Sequence, residues 1–293
     1  GAITDIVNFG DWGRMRMWML AIAVAIAGAG CLQAAGLVNL TKSIYTNADV
    51  PWLSHIVGGV LFGAGMTLAS GCGSKTLIRV GAGNLKSLIV LVVLAVAAYM
   101  TLKGAFAGAR AYGLDPVRFN VGAPSSDLPA IFASWGMTAG VHLWLPLVIA
   151  AAIALFVFAN RDFRSTPELI IGGLVVGAVI VAGWYVSAHV GYLAEDSATR
   201  EEKLVATNSG RAELFSFVAP TAYLLELLML WTDQSRVVTF GIAGVLGMIA
   251  GSFTMAVATR NFRWEGFANA EDVGNHLVGC VMMLFGGVTA LGC

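Results

Sequence analysis

Five apolar runs, each long enough to cross a lipid bilayer, constrain this chain more than any other feature in it. Residues 17–40, 85–102, 140–159, 169–190 and 237–259 carry almost no charge. A transmembrane helix needs about 20 such residues. Shorter or glycine-interrupted runs lie at 56–70, 214–231 and 273–293. In lipid the backbone has no water to bond, so segments of this length satisfy their own polar groups only as helices. The expected fold is an all-α integral membrane protein, a polytopic helical bundle of about eight membrane segments with broken or re-entrant helices and an internal repeat.

Composition closes off the soluble alternatives. The chain is 58% hydrophobic and 12% charged, whereas a soluble domain carries about a quarter charged residues. The formal net charge is zero, so the basic footprint that nucleic acid requires is missing. Four cysteines, Cys31, Cys72, Cys280 and Cys293, sit in apolar surroundings with no CxxC or Cys/His spacing. Neither a metal site nor a disulfide framework is expected, and no cofactor is called for. The chain opens Gly-Ala-Ile-Thr without an initiator Met and stops at Cys293 within an apolar run. Residues 1–293 are therefore read as a single transmembrane transporter domain, a fragment truncated at both ends.

Charge between the runs suggests an orientation. Short basic connections hold Arg14 and Arg16, then Lys75, Arg79 and Lys86, then Arg161 and Arg164, then Arg236. The longer ones, 103–136, 191–216 and 260–272, mix signs, and Glu195, Asp196, Glu201 and Glu202 cluster in one of them. The positive-inside rule places the short basic set in the cytoplasm. Trp18, Trp52, Trp135, Trp144, Trp231 and Trp264 fall near span ends, as an aromatic belt does. Residues 103–136, with three prolines and several glycines, read as a partly re-entrant or surface-lying segment.

The centre of the molecule is marked by a repeat. Residues 57–72, VGGVLFGAGMTLASGC, align without gaps to 278–293, VGCVMMLFGGVTALGC, with seven of sixteen positions identical. Both copies are short, glycine-rich and end in Gly-Cys. Paired short segments of this kind are the best sequence pointer to a transporter's binding site. A helix that stops inside the membrane leaves backbone groups to hold an ion, and glycine permits both the break and close helix approach. The candidate substrate path is therefore Gly71, Cys72, Gly73 and Ser74 with Gly292 and Cys293. Lys75 and Arg79 lie beside the first break as possible sources of anion attraction. Cys31 and Cys280 are read as small packing residues. Glu226 is the one acid well inside a predicted run, a functional candidate by default, unless 214–231 lies at an interface and leaves it solvated. His55, His142, His189 and His276 are read as structural.

Residues 62–74, FGAGMTLASGCGS, followed by 77–84, LIRVGAGN, resemble the signature of the YeeE/YedE family of sulfur-compound transporters. Residues 285–293 are similar to that family's second copy, and the opening 1–18 to the segment that follows a third cysteine motif. The resemblance implies a multi-pass bacterial inner (plasma) membrane importer of thiosulfate or a related sulfur anion, and not an enzyme. It implies that Cys72 and Cys293 pass the anion along by transient S–H···S contacts. It also implies a third path cysteine just upstream of Gly1, and a soluble cytoplasmic sulfur carrier as partner. Alternatives from the residues themselves are a transporter of selenium compounds or persulfides, a membrane thiol enzyme (sulfurtransferase or disulfide carrier), and an assembly subunit of a larger membrane complex.

Overall fold

The computed structural model describes residues 2–136, 140–193, 203–233, 235–266 and 270–291. Along these residues the helices are α1 (Ala2–Phe9), α2 (Gly13–Ala34), α3 (Trp52–Leu68), α4 (Gly73–Gly81), α5 (Leu85–Leu102), α6 (Leu128–Ser134), α7 (Val141–Phe158), α8 (Arg161–Arg164), α9 (Pro167–Tyr185), α10 (Ala219–Met229), α11 (Phe240–Ala258) and α12 (Ala270–Thr289). Two short antiparallel pairs join β1 (Asp49–Val50) to β2 (Phe119–Asn120) and β3 (Tyr192–Leu193) to β4 (Lys203–Leu204). Among the described residues six helices are long and apolar enough to cross a membrane, counting Trp52–Gly81 across its break, and two further apolar helices are shorter. A polytopic helical membrane protein is what the apolar runs required. Within 103–136 the chain forms a π-helical turn at Ala109–Leu114, β2 and the seven-residue α6, none of spanning length.

The chain divides into two compact units, Gly1–Ala48 with Val121–Leu214 and Asp49–Asn120 with Phe215–Cys293. In the first, α2 is the central rod. It runs antiparallel to α7, with Gly30 against Pro146, Gln33 bonded to His142 at 3.2 Å, and Arg16 donating to the carbonyls of Phe156 and Val157 at 2.7 and 3.0 Å. It runs parallel to α9, where Gly173 meets Met17 and Leu20, and Gly177 meets Ala21 and Val24. A Cβ on Gly177 would stand 2.9 Å from the Ala21 carbonyl oxygen. In lipid no solvent drives helices together, so small residues that let backbones approach supply the packing. The basic turns at Arg14/Arg16 and Arg161/Arg164 fall at one end of this unit, as expected.

The second unit is built on α3 and α12. Gly58 lies against Gly286 and Ala290, and Gly65 against Gly279 and Met283, so the two helices run antiparallel. A Cβ on Gly65 would stand 2.5 Å from the Gly279 carbonyl oxygen and 2.7 Å from Met283 Cα. In the sequence repeat Gly58 is equivalent to Gly279 and Gly65 to Gly286. Each glycine therefore packs on the counterpart of the other, the pattern a two-fold axis imposes on a self-complementary interface. The axis is perpendicular to the helices, so the repeat is inverted. Leu94, Ala97, Ala98, Val218, Ala222, Met283, Leu284 and Val288 form the adjoining apolar core.

Two helices of this unit stop short. α3 has 17 residues, a rise of about 26 Å at 1.5 Å per residue, and α10 has 11. Where α3 ends, Ala69 is level with Gly279, the tenth of the 20 residues of α12. The break thus sits halfway along its partner. Glu226 near the end of α10 is 5% exposed and is not a solvated surface acid. Lys103 Nζ approaches its carboxylate at 3.1 Å and Arg236 at 3.2 Å, and Tyr99 donates at 3.5 Å.

These contacts correct the orientation drawn from charge. Arg236 is tied through Glu226 to Lys103 at the C-terminal end of α5, while Lys86 is in the first turn of that helix. The two basic connections expected on one side are at opposite ends of an 18-residue helix. The segment after α11, expected opposite Lys86, packs beside it: Arg263 N donates to the Ala82 carbonyl at 3.2 Å and Leu85 N to the Glu265 carbonyl at 2.9 Å. Counting charges treats every cation as a free anchor, whereas Arg236 is consumed by a buried acid.

Three substitutions test these contacts. Gly65→Leu forces α3 from α12 and should cost about 1–3 kcal/mol, read as a lower thermal midpoint in detergent. Gly63→Leu, where a Cβ meets nothing within 4 Å, should leave it unchanged. Glu226→Gln leaves half-exposed Lys103 without its carboxylate and Arg236 with Asp233 alone, and should cost about 1–3 kcal/mol in the same measurement, less than the loss from a fully buried pair.

Candidate functional site

The break between α3 and α4 is a local consequence of four residues. Ser70 adopts φ 57° and Gly71 φ 154°, backbone that a side chain at Gly71 would resist. Cys72 then returns to extended geometry, φ −84° and ψ 173°, and caps α4, which starts at Gly73. Thr76 secures the turn, its backbone N–H and its hydroxyl both donating to the Cys72 carbonyl at 3.0 and 3.1 Å. The half-buried Cys72 thiol lies 3.0 Å from the Ser74 hydroxyl.

Neighbours complete the break. The Lys75 stem lies over Gly71, its Cδ 2.6 Å from where a Cβ would stand. Gly73 is buried against Phe217, the residue entering α10. Two chain interruptions, one before α4 and one before α10, thus meet at one place. Lys75 is in the first turn of α4, the positive end of the helix, where a cation is disfavoured by about 0.3–1 kcal/mol at an exposed position. An anion at the break relieves that repulsion and gains the unpaired N–H groups of the first turn.

The remaining expected site residues separate. Arg79 is in the last turn of α4, away from Cys72, and lines a cavity of about 330 Å³ that Ser70 also reaches. Gly292 and Cys293 lie outside the described residues; α12 ends at Thr289, at the opposite end of the α3–α12 pair from Cys72. Cys280 is fully buried beside Ala69 and Val90, a packing residue as read. Cys31 is exposed on α2, which removes the packing role expected for it. Three histidines are structural: His55 bonds the Ala290 carbonyl at 3.1 Å, His142 bonds Gln33, and His189 bonds the Leu37 carbonyl at 3.1 Å. Sequence reasoning missed Phe217 and Arg263, since neither lies in a motif and only the fold brings them to α4.

The whole of this chain, residues 1–293, matches the family model described as Sulphur transport. It is similar to the thiosulfate transporter TsuA of Escherichia coli strain K12, at 26% identity over 289 residues, covering 94% of this chain and 73% of that protein. It is also similar to the thiosulfate transporter TsuA of Spirochaeta thermophila, at 24% identity over 294 residues, covering 100% of this chain and 81% of that protein. The family and both relatives are transporters, which favours transport over a membrane thiol enzyme. With spanning helices, a helix break at Gly71 and Cys72 and a match along its full length, the chain belongs to the Sulphur transport family.

Proposed function

We propose that this protein imports thiosulfate, or a closely related small sulfur anion, across the bacterial inner membrane. The path runs past Cys72, with Gly71, Gly73 and Ser74 shaping the break there, and takes in Gly292 and Cys293 of the second Gly-Cys copy. The observation that carries this reading is the placement of Cys72: a thiol at the cap of α4, halfway along α12, beside a hydroxyl and a helix N-terminus. Both relatives are named for thiosulfate.

The chemistry matches. Thiosulfate is a dianion with one soft sulfur and hard oxygens. A protonated thiol is a weak donor, and weak contacts in series permit release as well as entry. The α4 N–H groups, the Ser74 hydroxyl and Lys75 offset part of the cost of carrying charge into the membrane. The family model spans both units, which supports reading residues 1–293 as one transporter domain. A cytoplasmic sulfur carrier receiving the anion is the partner this reading calls for.

Uptake of labelled thiosulfate tests it, in cells lacking other sulfate and thiosulfate importers and expressing the intact protein. Cys72→Ala and Cys293→Ala are each expected to reduce uptake at least tenfold at matched membrane levels. Undiminished uptake in both would sink the cysteine path while leaving transport standing. If the unaltered protein shows no uptake, the substrate assignment fails, and selenium compounds and persulfides are the next to try.

A further inference from the structure

The geometry points to a second anion site in this unit: a thiol-free chamber at the C-terminal end of α4 that binds dianionic tetrahedral oxyanions. It is the cavity of about 330 Å³ that Arg79, Lys86 and Arg263 line. Its wall is made by the turn from α4 to α5 and by the segment that follows α11. These are stitched together: besides the bonds of Arg263 N and Leu85 N, Lys86 N donates to the Glu265 carbonyl at 3.3 Å. Asn84 Nδ2 donates to the Glu265 carboxylate at 2.7 Å. Among the described residues the one carboxylate lining the cavity is thus held by an amide, while the guanidinium groups of Arg79 and Arg263 line the same space.

The ordinary explanation of such cations is that they serve the carbonyls at a helix C-terminus. Here the carbonyls of Ile78, Arg79, Val80 and Ala82 are already served. Ser252 Oγ donates to the Ile78 carbonyl at 2.5 Å, which Ala82 N also bonds. Gly83 N takes the Val80 carbonyl, Asn84 N the Arg79 carbonyl and Arg263 N the Ala82 carbonyl. Among the described residues neither the Arg79 nor the Arg263 guanidinium has an ion pair or a side-chain hydrogen bond. Two forked donors facing one polar space, with Lys86 and the Asn261 amide beside them, suit an oxyanion with several oxygens.

The chamber has no soft ligand, so it reads oxygens and charge. Sulfate, phosphate and the oxygen end of thiosulfate are equivalent to it. Its place in transport rests on the proposed path through Cys72: Ser70, at the break, lines the same cavity, so an anion leaving the thiol enters a compartment that no longer distinguishes thiosulfate from sulfate. Sulfate on that side of the membrane then competes for the chamber without being carried.

Calorimetric titration of the purified intact protein with sodium sulfate, against sodium chloride at matched ionic strength, tests the chamber independently of uptake. Saturable sulfate binding is expected, weakened at least tenfold by Arg263→Gln and by Arg79→Gln. Arg118→Gln, the same loss of charge at a residue outside the cavity, should leave it unchanged. Sulfate heat no larger than that of chloride, or binding equal in wild type and both cavity variants, would overturn the inference while leaving the uptake result for Cys72 untouched. If Arg263→Gln does not purify as a monodisperse species, Arg79→Gln and Arg263→Lys decide, the lysine being expected to restore charge but only part of the affinity.

Discussion

Backbone contact between α3 and α12 is the constraint on which the second unit depends. Gly58 and Gly65 on one helix, and Gly279 and Gly286 on the other, bring main chain against main chain. Replacing any of them with a larger residue would add atoms where there is no space. That closeness fixes the level of everything attached to α3. Because α3 ends opposite the middle of α12, the break through Ser70 and Gly71 falls level with that middle, and Cys72 follows it. The core around Leu94, Val218 and Met283 then holds α5 and α10 to the same pair. The break is therefore a position set by helix packing, and only its local shape is set by glycine.

The parts of this fold legible in the sequence are those governed by one-dimensional rules. The run at 85–102 coincides with α5, and those at 140–159 and 237–259 differ from α7 and α11 by a few terminal residues. Hydrophobic length is nearly sufficient for helices whose surroundings are lipid. The α3–α4 break was legible for a similar reason, since Ser-Gly-Cys-Gly is written into the chain. What was not legible depends on pairs distant in sequence. The repeat could be seen, but not that its copies face each other antiparallel. Arg236 looked like a free cytoplasmic anchor until Glu226 was found beside it. Arg263 has no motif, and only the pairing of residues 261–266 with the α4–α5 turn brings it to Arg79. Cys31 looked like packing because exposure on a membrane helix is as apolar as burial.

Two kinds of recognition are separated along α4. At its start a thiol and a hydroxyl stand at a helix N-terminus; at its end forked cations and amides surround a polar space. On the proposed path the first would tell sulfur from oxygen and bind weakly, while the second would hold charge without that distinction. A dianion carried between them would exchange selectivity for electrostatic support within the nine residues of one helix.

An inverted, self-complementary helix pair has a consequence for directionality. A two-fold axis perpendicular to the helices exchanges one membrane face for the other, so the α3–α12 contact by itself is identical for inward and outward movement. Rectification has to come from whatever breaks the equivalence. In this unit the inequality is electrical: one end of α5 lies beside Arg79 and Arg263, which have no ion pair among the described residues, while the other has its cations Lys103 and Arg236 paired with Glu226. The repeat gives the α3–α12 pair its two-fold symmetry, and the unduplicated charges break it.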